Sequence, residues 1–206
     1  MAIRIYYSFS TPFELDDELD YVVNYYGRII DSGSDEDEGE SKETLIGRVS
    51  GYRVHMGLVW EHDLNPLDVF DAHSHTLLGF YEVLFDQRTC ELKESICELS
   101  VGPDVLIIDK VEILPNYRGK SIGLKAVRRT MEFLGGGCAV TALHAHPIQY
   151  DKLDKDWTLQ MHLQNFIGDK QTAQKKLRDY WSRLGFRRVG RTSYMAFAMT
   201  NQIRDV

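Results

Sequence analysis

The sequence predicts an α/β fold in which a mixed central sheet is flanked by helices, and three observations carry that prediction. Residues 3–9 and 187–199 alternate apolar and polar side chains, which is typical of strands. Residues 105–114 are apolar at nearly every position, as expected of a strand buried on both faces of a sheet. Directly after them, apolar residues recur at steps of three and four and place one apolar stripe on a helix: Leu124, Val127, Met131 and Leu134.

The other elements follow from the same rules. Thr11, Pro12 and Glu14 supply an N-cap, a first-turn proline and a capping-box acid, so a helix is predicted from there to about Tyr26. Further predicted elements are one or two strands with a turn or bulge over 44–60, a helical stretch over 65–85, a strand over 138–145 and a basic helix over 171–184.

An insert of about 25 residues lies before the last helix and is longer than an ordinary connection between a strand and a helix. It is predicted to be ordered and packed because it carries five large apolar residues: Trp157, Leu159, Met161, Leu163 and Phe166. No linker or internal repeat divides the chain, so residues 1–206 are interpreted as one domain with a mobile acidic loop over 31–43.

Composition excludes several classes of protein. With 206 residues, 43% hydrophobic and 27% charged, the chain belongs with globular rather than disordered or fibrous proteins. The three cysteines form neither a CxxC pair nor a zinc-ligand pattern, which indicates a reducing, cytoplasmic compartment and no metal site. Neither a signal peptide nor a membrane span is expected.

Charge is divided unevenly along the chain. Residues 1–104 carry 7 Lys and Arg against 22 Asp and Glu, whereas residues 105–206 carry 17 against 9. A sharp interpretation is that the basic half meets an anion and the acidic half meets a cation. The alternative is uneven but inert surface charge.

The segment ILPNYRGKSIG, residues 113–123, carries the chemistry. A buried strand runs into a turn with Arg118, Gly119 and Gly123 and then directly into a helix. The first N–H groups of a helix lack intrahelical partners and carry the positive end of its dipole, so they can bind phosphate oxygens. The spacing matches neither the Walker pattern nor GxGxxG, which disfavours nucleotide kinases and dehydrogenases.

This segment resembles the pyrophosphate loop of the GNAT superfamily of acyl-CoA-dependent N-acetyltransferases. A second signature agrees, because Trp181 is followed after three residues by Gly185 and Phe186, as at the end of the family's last helix. Ser121 departs from the glycine that is usual there. The resemblance implies a GNAT fold in which residues 105–206 bind acetyl-CoA through Ile113, Leu114, Pro115, Arg118, Gly119, Lys120, Ser121, Ile122, Gly123 and Gln174.

The resemblance also implies direct acetyl transfer to an amine through a tetrahedral intermediate. The oxyanion is bound by a backbone N–H near Ile113 and Leu114. Because Trp181 occupies the usual tyrosine position and cannot donate the required proton, the neighbouring Tyr180 is the candidate acid. Four residues are candidates for the base, Asp109, Glu112, His144 and His146, and of these Asp109, Glu112 and His146 are preferred.

The acceptor is predicted to be a small-molecule or protein amine, cationic, entering past the first helix and the acidic loop of residues 1–104. The identity of that amine is open, as is a homodimer. Two alternatives remain, a GNAT fold that binds acyl-CoA without catalysis and a nucleic-acid-binding module on the basic half. Nucleic acid is disfavoured because the whole chain is acidic, with a net charge of −7.

Overall fold

The computed structural model describes residues 2–33, 43–96, 101–150, 155–163 and 168–206. Within them the chain forms a seven-stranded mixed open sheet flanked by six α-helices, which confirms the predicted α/β class. The strands are β1 (Ile3–Phe9), β2 (Val22–Asp31), β3 (Thr44–Val54), β4 (Asp104–Ile113), β5 (Cys138–His144), β6 (Arg187–Arg188) and β7 (Tyr194–Ala198). The helices are α1 (Met56–Glu61), α2 (Pro66–His73), α3 (His75–Leu84), α4 (Ile122–Leu134), α5 (Lys155–Met161) and α6 (Lys170–Ser182).

The sheet has the strand order β1-β2-β3-β4-β5-β7-β6. Strands β1 to β4 form antiparallel pairs, and β4 pairs in parallel with β5. A parallel pair needs a crossover connection, and α4 supplies it. Strand β7 then pairs antiparallel with both β5 and β6.

Helices cover both faces of the sheet. Helices α1 to α3 pack on one face, where Phe70 and Phe80 meet Ile107. Helices α4 and α6 pack on the other face, where Leu124 and Trp181 belong to the core around Leu106, Ile108 and Phe197. The prediction of a doubly buried strand therefore holds for the first five residues of β4, whereas most of its last five are only half-buried.

The helix predicted from Thr11 to Tyr26 is wrong. A single 3-10 turn forms at Glu18–Tyr21, and β2 begins at Val22. The capping box exists at Asp17 and Asp20, but it closes only this turn. The run YVVNYY is rich in β-branched and aromatic residues, and pairing on both sides with β1 and β3 favours the strand.

Two other predicted segments are divided. The helical stretch over 65–85 breaks at Ser74, whose hydroxyl accepts the Leu77 N–H and so caps α3. The last predicted strand is a hairpin of β6 and β7 with Gly190 at φ 55° between them.

The insert contains α5, and Trp157, Met161 and Leu163 are buried as predicted. Leu159, in contrast, is exposed, and Phe166 lies outside the described residues. Of the predicted acidic loop, Asp31 belongs to β2 and residues 34–42 lie outside the described residues. No described helix has the length and apolar character needed to cross a membrane.

Candidate active site

A cleft opens where β4 and β5 separate. Their last paired residues are Ile108 and Leu143, after which β4 continues to Ile113 while β5 ends at His144. The cleft has a volume of about 450 Å³. Its walls come from the second half of β4, the first turn of α4, the inner face of α6 and the insert after β5.

A β-bulge at Asp109 shapes the wall formed by β4. Ser50 on β3 pairs with Lys110, and the next residue, Gly51, pairs with Ile108. Asp109 is therefore an extra residue that the β3–β4 register skips. The bulge reverses which residues share a face of the sheet. Ile108 and Val111 consequently pack on the same face although they are three positions apart, and Asp109 lines the cleft.

Backbone groups of β4 also face the cleft. The Leu114 N–H donates to the Ile46 carbonyl on the β3 side at 2.9 Å. Because backbone groups alternate in direction along a strand, the N–H groups of Ile113 and Val111 point to the opposite side, towards the cleft. The Ile113 N–H therefore faces the cleft, whereas the Leu114 N–H bonds to β3 and does not, which removes Leu114 from the two predicted oxyanion donors.

The turn between β4 and α4 uses two residues with left-handed backbone. Gly119 has φ 78° and Ser121, the N-cap of α4, has φ 57°. A left-handed φ is readily adopted by glycine, so Ser121 occupies a position that glycine fits better. Its hydroxyl lies 3.4 Å from the Arg183 guanidinium on α6. The turn leaves the first N–H groups of α4 at the wall of the cleft.

Tyr180 lies against this helix terminus. Its hydroxyl accepts the Leu124 N–H at 3.1 Å. A Cβ atom at Gly123 would lie 2.8 Å from the same hydroxyl, so Gly123 is needed for this approach. Burial raises the pKa of Tyr180, against opposing effects from the Leu124 N–H and the Arg183 charge. Trp181 is buried, contacts the Tyr180 ring edge-on and also lines the cleft.

Arg118 joins the turn to the insert. Its Nε donates to the Ile113 carbonyl at 2.8 Å and its Nη2 donates to the Met161 carbonyl at 2.7 Å. Burial lowers the pKa of Arg118. These contacts hold the end of α5 beside the cleft, where Met161 and Leu163 form an apolar wall.

The charged groups of the cleft are mostly basic. Asp109 is the single carboxylate among the described residues that line it, and the cations are Lys110, Arg118, Lys176 and Arg183. Lys176 and Arg183 belong to one face of α6 and its end, opposite the first turn of α4. Positive side chains and a helix N-terminus together make this end of the cleft suited to an anion.

Two histidines line the cleft beside the end of β5. The rings of His144 and His146 are 5.3 Å apart, and His144 stacks on Tyr194. The His144 Nε2 lies 2.6 Å from the Ser193 hydroxyl, which fixes the orientation of the ring.

Glu112 lies apart from this group. It is buried beside Arg48, its partner across the β3–β4 ladder, and Arg48 stacks on Trp157 of α5 at 3.8 Å. Burial raises the pKa of Glu112, against the opposing charge of Arg48. This cluster attaches the insert to the sheet.

The cleft brings together nine of the residues predicted for the site: Asp109, His146, Tyr180, Ile113, Arg118, Gly119, Ser121, Ile122 and Gly123. Five predicted residues lie outside its lining: Glu112, Leu114, Pro115, Lys120 and Gln174. Leu114 packs instead against the insert, and Lys120 lies over the Tyr117 ring.

Some lining residues were not predicted to take part in the site. Four of them belong to no recognisable motif: Lys176, Arg183, Met161 and Leu163. The only sequence signal for these residues was the basic character of the last helix and the apolar character of the insert. Among the described residues, no group of three His, Cys, Asp or Glu side chains could hold a metal ion.

The acidic residues 14–20 do not border the cleft, contrary to expectation. Val22 pairs with Val54, which pairs with Val105, so the segment before β2 lies at the amino end of β4. The cleft is at the carboxyl end of β4.

The chain matches no protein-family model, no curated protein and no solved structure.

Proposed function

We propose that the protein is an acyl-CoA-dependent N-acyltransferase that uses acetyl-CoA or another short acyl-CoA and an amine acceptor. The observation that carries the proposal is the continuity of the cleft. One space contains an opened edge of β4, the N-terminus of α4 and the basic side chains of α6. An acyl donor with a pyrophosphate needs an anion site next to a place where a carbonyl can react.

The residues fit such a donor in a definite orientation. The pyrophosphate would lie on the first turn of α4, beside Gly119 and Ser121, with Arg183 and Lys176 adding positive charge. The pantetheine arm would follow the exposed side of β4 and bring the thioester to Val111 and Ile113. Their backbone N–H groups are the candidates to stabilise the oxyanion.

Transfer requires two proton transfers, one from the attacking amine and one to the leaving thiolate. The amine must lose a proton as its nitrogen attacks the thioester carbonyl, and Asp109 or His146 would accept that proton. The carbon–sulfur bond then breaks, and Tyr180 would protonate the thiolate. Since the Tyr180 oxygen already accepts the Leu124 N–H, its own proton remains available for donation.

The cleft favours a particular kind of acceptor. Met161, Leu163 and Ile148 form an apolar wall, and Asp109 is the carboxylate near the opened edge. An amine with one positive charge and an apolar body fits this lining. A highly cationic acceptor would need further negative charge outside the lining of the cleft.

The test is calorimetry of CoA binding to two variants of the protein that are substituted at Gly119. Asn and Asp have nearly equal size and both tolerate a left-handed backbone, so they differ mainly in charge. Gly119→Asp should abolish detectable CoA binding because it places a carboxylate against the pyrophosphate, whereas Gly119→Asn should retain most of the affinity. Ser121→Gly should preserve or tighten binding.

A charge control is Gly136→Asp beyond the other end of α4, where a side chain meets open space. This variant should bind CoA like the parent. Equal affinities of the Asn and Asp variants of Gly119 would remove the turn from the proposal. Binding of acetyl-CoA without transfer to any amine in a broad panel would favour the alternative of a non-catalytic acyl-CoA-binding protein.

A further inference from the structure

A second groove lies at the edge of the sheet, and Ile122 at the start of α4 lines both it and the cleft. It runs between β1 and α4 and has a volume of about 550 Å³. Its floor and walls are apolar, formed mainly by Ile3, Ile5, Ile122 and Ala126. Phe133 is 57% exposed at one end of the groove, where its ring stacks on Tyr7 at 5.4 Å.

The rim of this groove is positively charged. Arg4 lies on β1, and Lys125 and Arg129 lie one helical turn apart on α4. All three are exposed, and Arg129 keeps 63% of its side-chain surface accessible although its guanidinium lies 3.4 Å from the Glu132 carboxylate. No acidic residue belongs to the described lining. The groove therefore combines apolar contact area with a field that attracts anions.

Strand β1 also offers backbone groups along this groove. It is the first strand in the sheet order, with β2 on one side only in the described part of the chain. The Ala2 carbonyl accepts the Ser32 N–H, so alternate residues from Ala2 onward bond to β2. The backbone groups of Ile3, Ile5 and Tyr7 consequently point outward, on the residues whose side chains face α4.

We propose that this groove binds an extended acidic peptide segment of a partner protein, which adds to β1 as an eighth strand. The outward backbone groups of Ile3, Ile5 and Tyr7 would form the ladder. Every second side chain of the segment would face α4, where apolar members of this set enter the groove and carboxylates of the same set pair with Lys125 and Arg129. Arg4 lies on the opposite face of β1 and adds longer-range attraction.

The charge of the rim favours an acidic peptide over a second copy of the chain as the occupant of the groove. A symmetric pairing of two β1 strands would place the cationic rims of both copies at one interface, where like charges repel. An acidic segment meets no such repulsion. An exposed, apolar edge strand without a partner is also a liability for aggregation, and the cationic rim protects it until the segment binds.

The binding test measures fluorescence anisotropy of a fluorescein-labelled octapeptide with the full chain. Val and Glu alternate at the odd positions of the peptide and Ser occupies the even positions, so one face of the extended peptide carries both the apolar and the acidic side chains. Binding should be saturable, and the variant Lys125→Glu/Arg129→Glu should weaken it by about tenfold or more because two attractions become repulsions. The matched control is Lys170→Glu/Lys175→Glu, which makes the same charge change on α6, outside the groove, and should bind like the parent.

Strand addition is tested on the peptide, so that folding of the protein is not affected. The same octapeptide with N-methyl groups on alternate residues loses the N–H groups of one edge. Methylation on one of the two alternating sets should abolish binding, because that set faces β1. Unchanged affinity for both methylated peptides would overturn the proposal.

Other occupants give different results. Tighter binding of the same octapeptide with Lys in place of Glu, or of a (dT)12 oligonucleotide, would contradict recognition of an acidic peptide. A dimer in sedimentation velocity that Lys125→Glu/Arg129→Glu disrupts would assign the groove to a second copy instead. Each of these outcomes is independent of CoA binding and of the proposed acyl transfer.

Discussion

At the scale of single residues, the most informative side chain is Tyr180. It precedes Trp181, which occupies the helical position that the family resemblance reserves for Tyr, yet its hydroxyl reaches the first turn of α4. Gly123 permits this contact because it has no Cβ atom. The candidate acid that the resemblance indicated is therefore positioned by two elements that are far apart in sequence.

Tyr180→Phe should lower kcat by about 10² to 10⁴ if the hydroxyl protonates the leaving thiolate. The measurement is steady-state transfer from acetyl-CoA to an amine that the parent accepts. Tyr117→Phe is the matched control, since Tyr117 also lines the cleft but contacts Lys120 rather than the helix terminus.

Full turnover by the Tyr180 variant would assign the proton to solvent. A loss of CoA affinity without a change in kcat would instead make Tyr180 a positioning residue of the α4 terminus. Because the pKa of Tyr180 is raised above 10, its ionisation should not reduce the rate below about pH 10.

At the scale of elements, the amino end of β4 is held by Asp104. Its carboxylate accepts hydrogen bonds from Arg53 at 2.9 Å and from the Gly57 N–H, and it lies 3.0 Å from His55 Nδ1. Arg53 continues to the Leu134 and Gly136 carbonyls at the end of α4. The cluster thus joins β3, β4 and α4 at the end of the sheet opposite the cleft.

Asp104→Asn should reduce the free energy of unfolding at pH 7 by about 2–3 kcal/mol, because it removes the charge from a partly buried network. Burial alone would raise the pKa of Asp104, but the bonds from His55, Arg53 and Gly57 outweigh it and lower the pKa below 3.8. A lowered pKa contributes stability above about pH 4 that is lost as the pH falls further.

Urea denaturation between pH 7 and pH 2.5 measures both effects. The parent should lose more stability in acid than the Asn variant does. Parallel pH profiles for the two proteins would show that Asp104 titrates alike in the folded and unfolded states.

The insert is the second element with a definite attachment. Arg118 connects it to the turn, and Arg48, Trp157 and Glu112 connect it to the sheet. The sequence indicated that the insert is packed but gave no partner for it. The structure shows that one residue of the glycine turn supplies the link.

Arg118→Leu should increase hydrogen exchange of the described α5 amides and weaken CoA binding, because the Met161 wall loses its attachment to the turn. Hydrogen-exchange mass spectrometry with and without CoA measures both results. Arg183→Leu is the comparison, since it removes a cleft cation that contacts the Ser121 hydroxyl and leaves the Arg118–Met161 hydrogen bond in place, so exchange in α5 should be unchanged.

At the scale of the whole molecule, local patterns predicted the elements near the cleft well. β4 and α4 were identified because their apolar periods are strong and uninterrupted by other signals. The segment before β2 was misassigned because Thr11 and Pro12 indicate a helix start, while the competing preference of YVVNYY depends on neighbouring strands. Cross-strand pairing is not encoded in any single segment.

The candidate site was predictable to the extent that its residues follow one turn. Gly119, Ser121 and Gly123 come from a contiguous motif, whereas Lys176, Arg183 and the insert meet the turn only through the tertiary fold. Glu112 could not be separated from Asp109 by sequence, because the bulge decides which of them faces the cleft. That bulge depends on the register of Gly51 against Ile108.

The single extra residue at Asp109 has a consequence for how the gene tolerates change. Deleting that one codon would give β3 and β4 a regular ladder and would leave Val111 and Ile113 opposite Val49 and Gly47, on the face that they occupy now. Deleting codon 107 instead would move Asp109 into the buried position of Ile108. A deletion scan of β4 should therefore retain folded protein at codon 109 and lose it at codon 107.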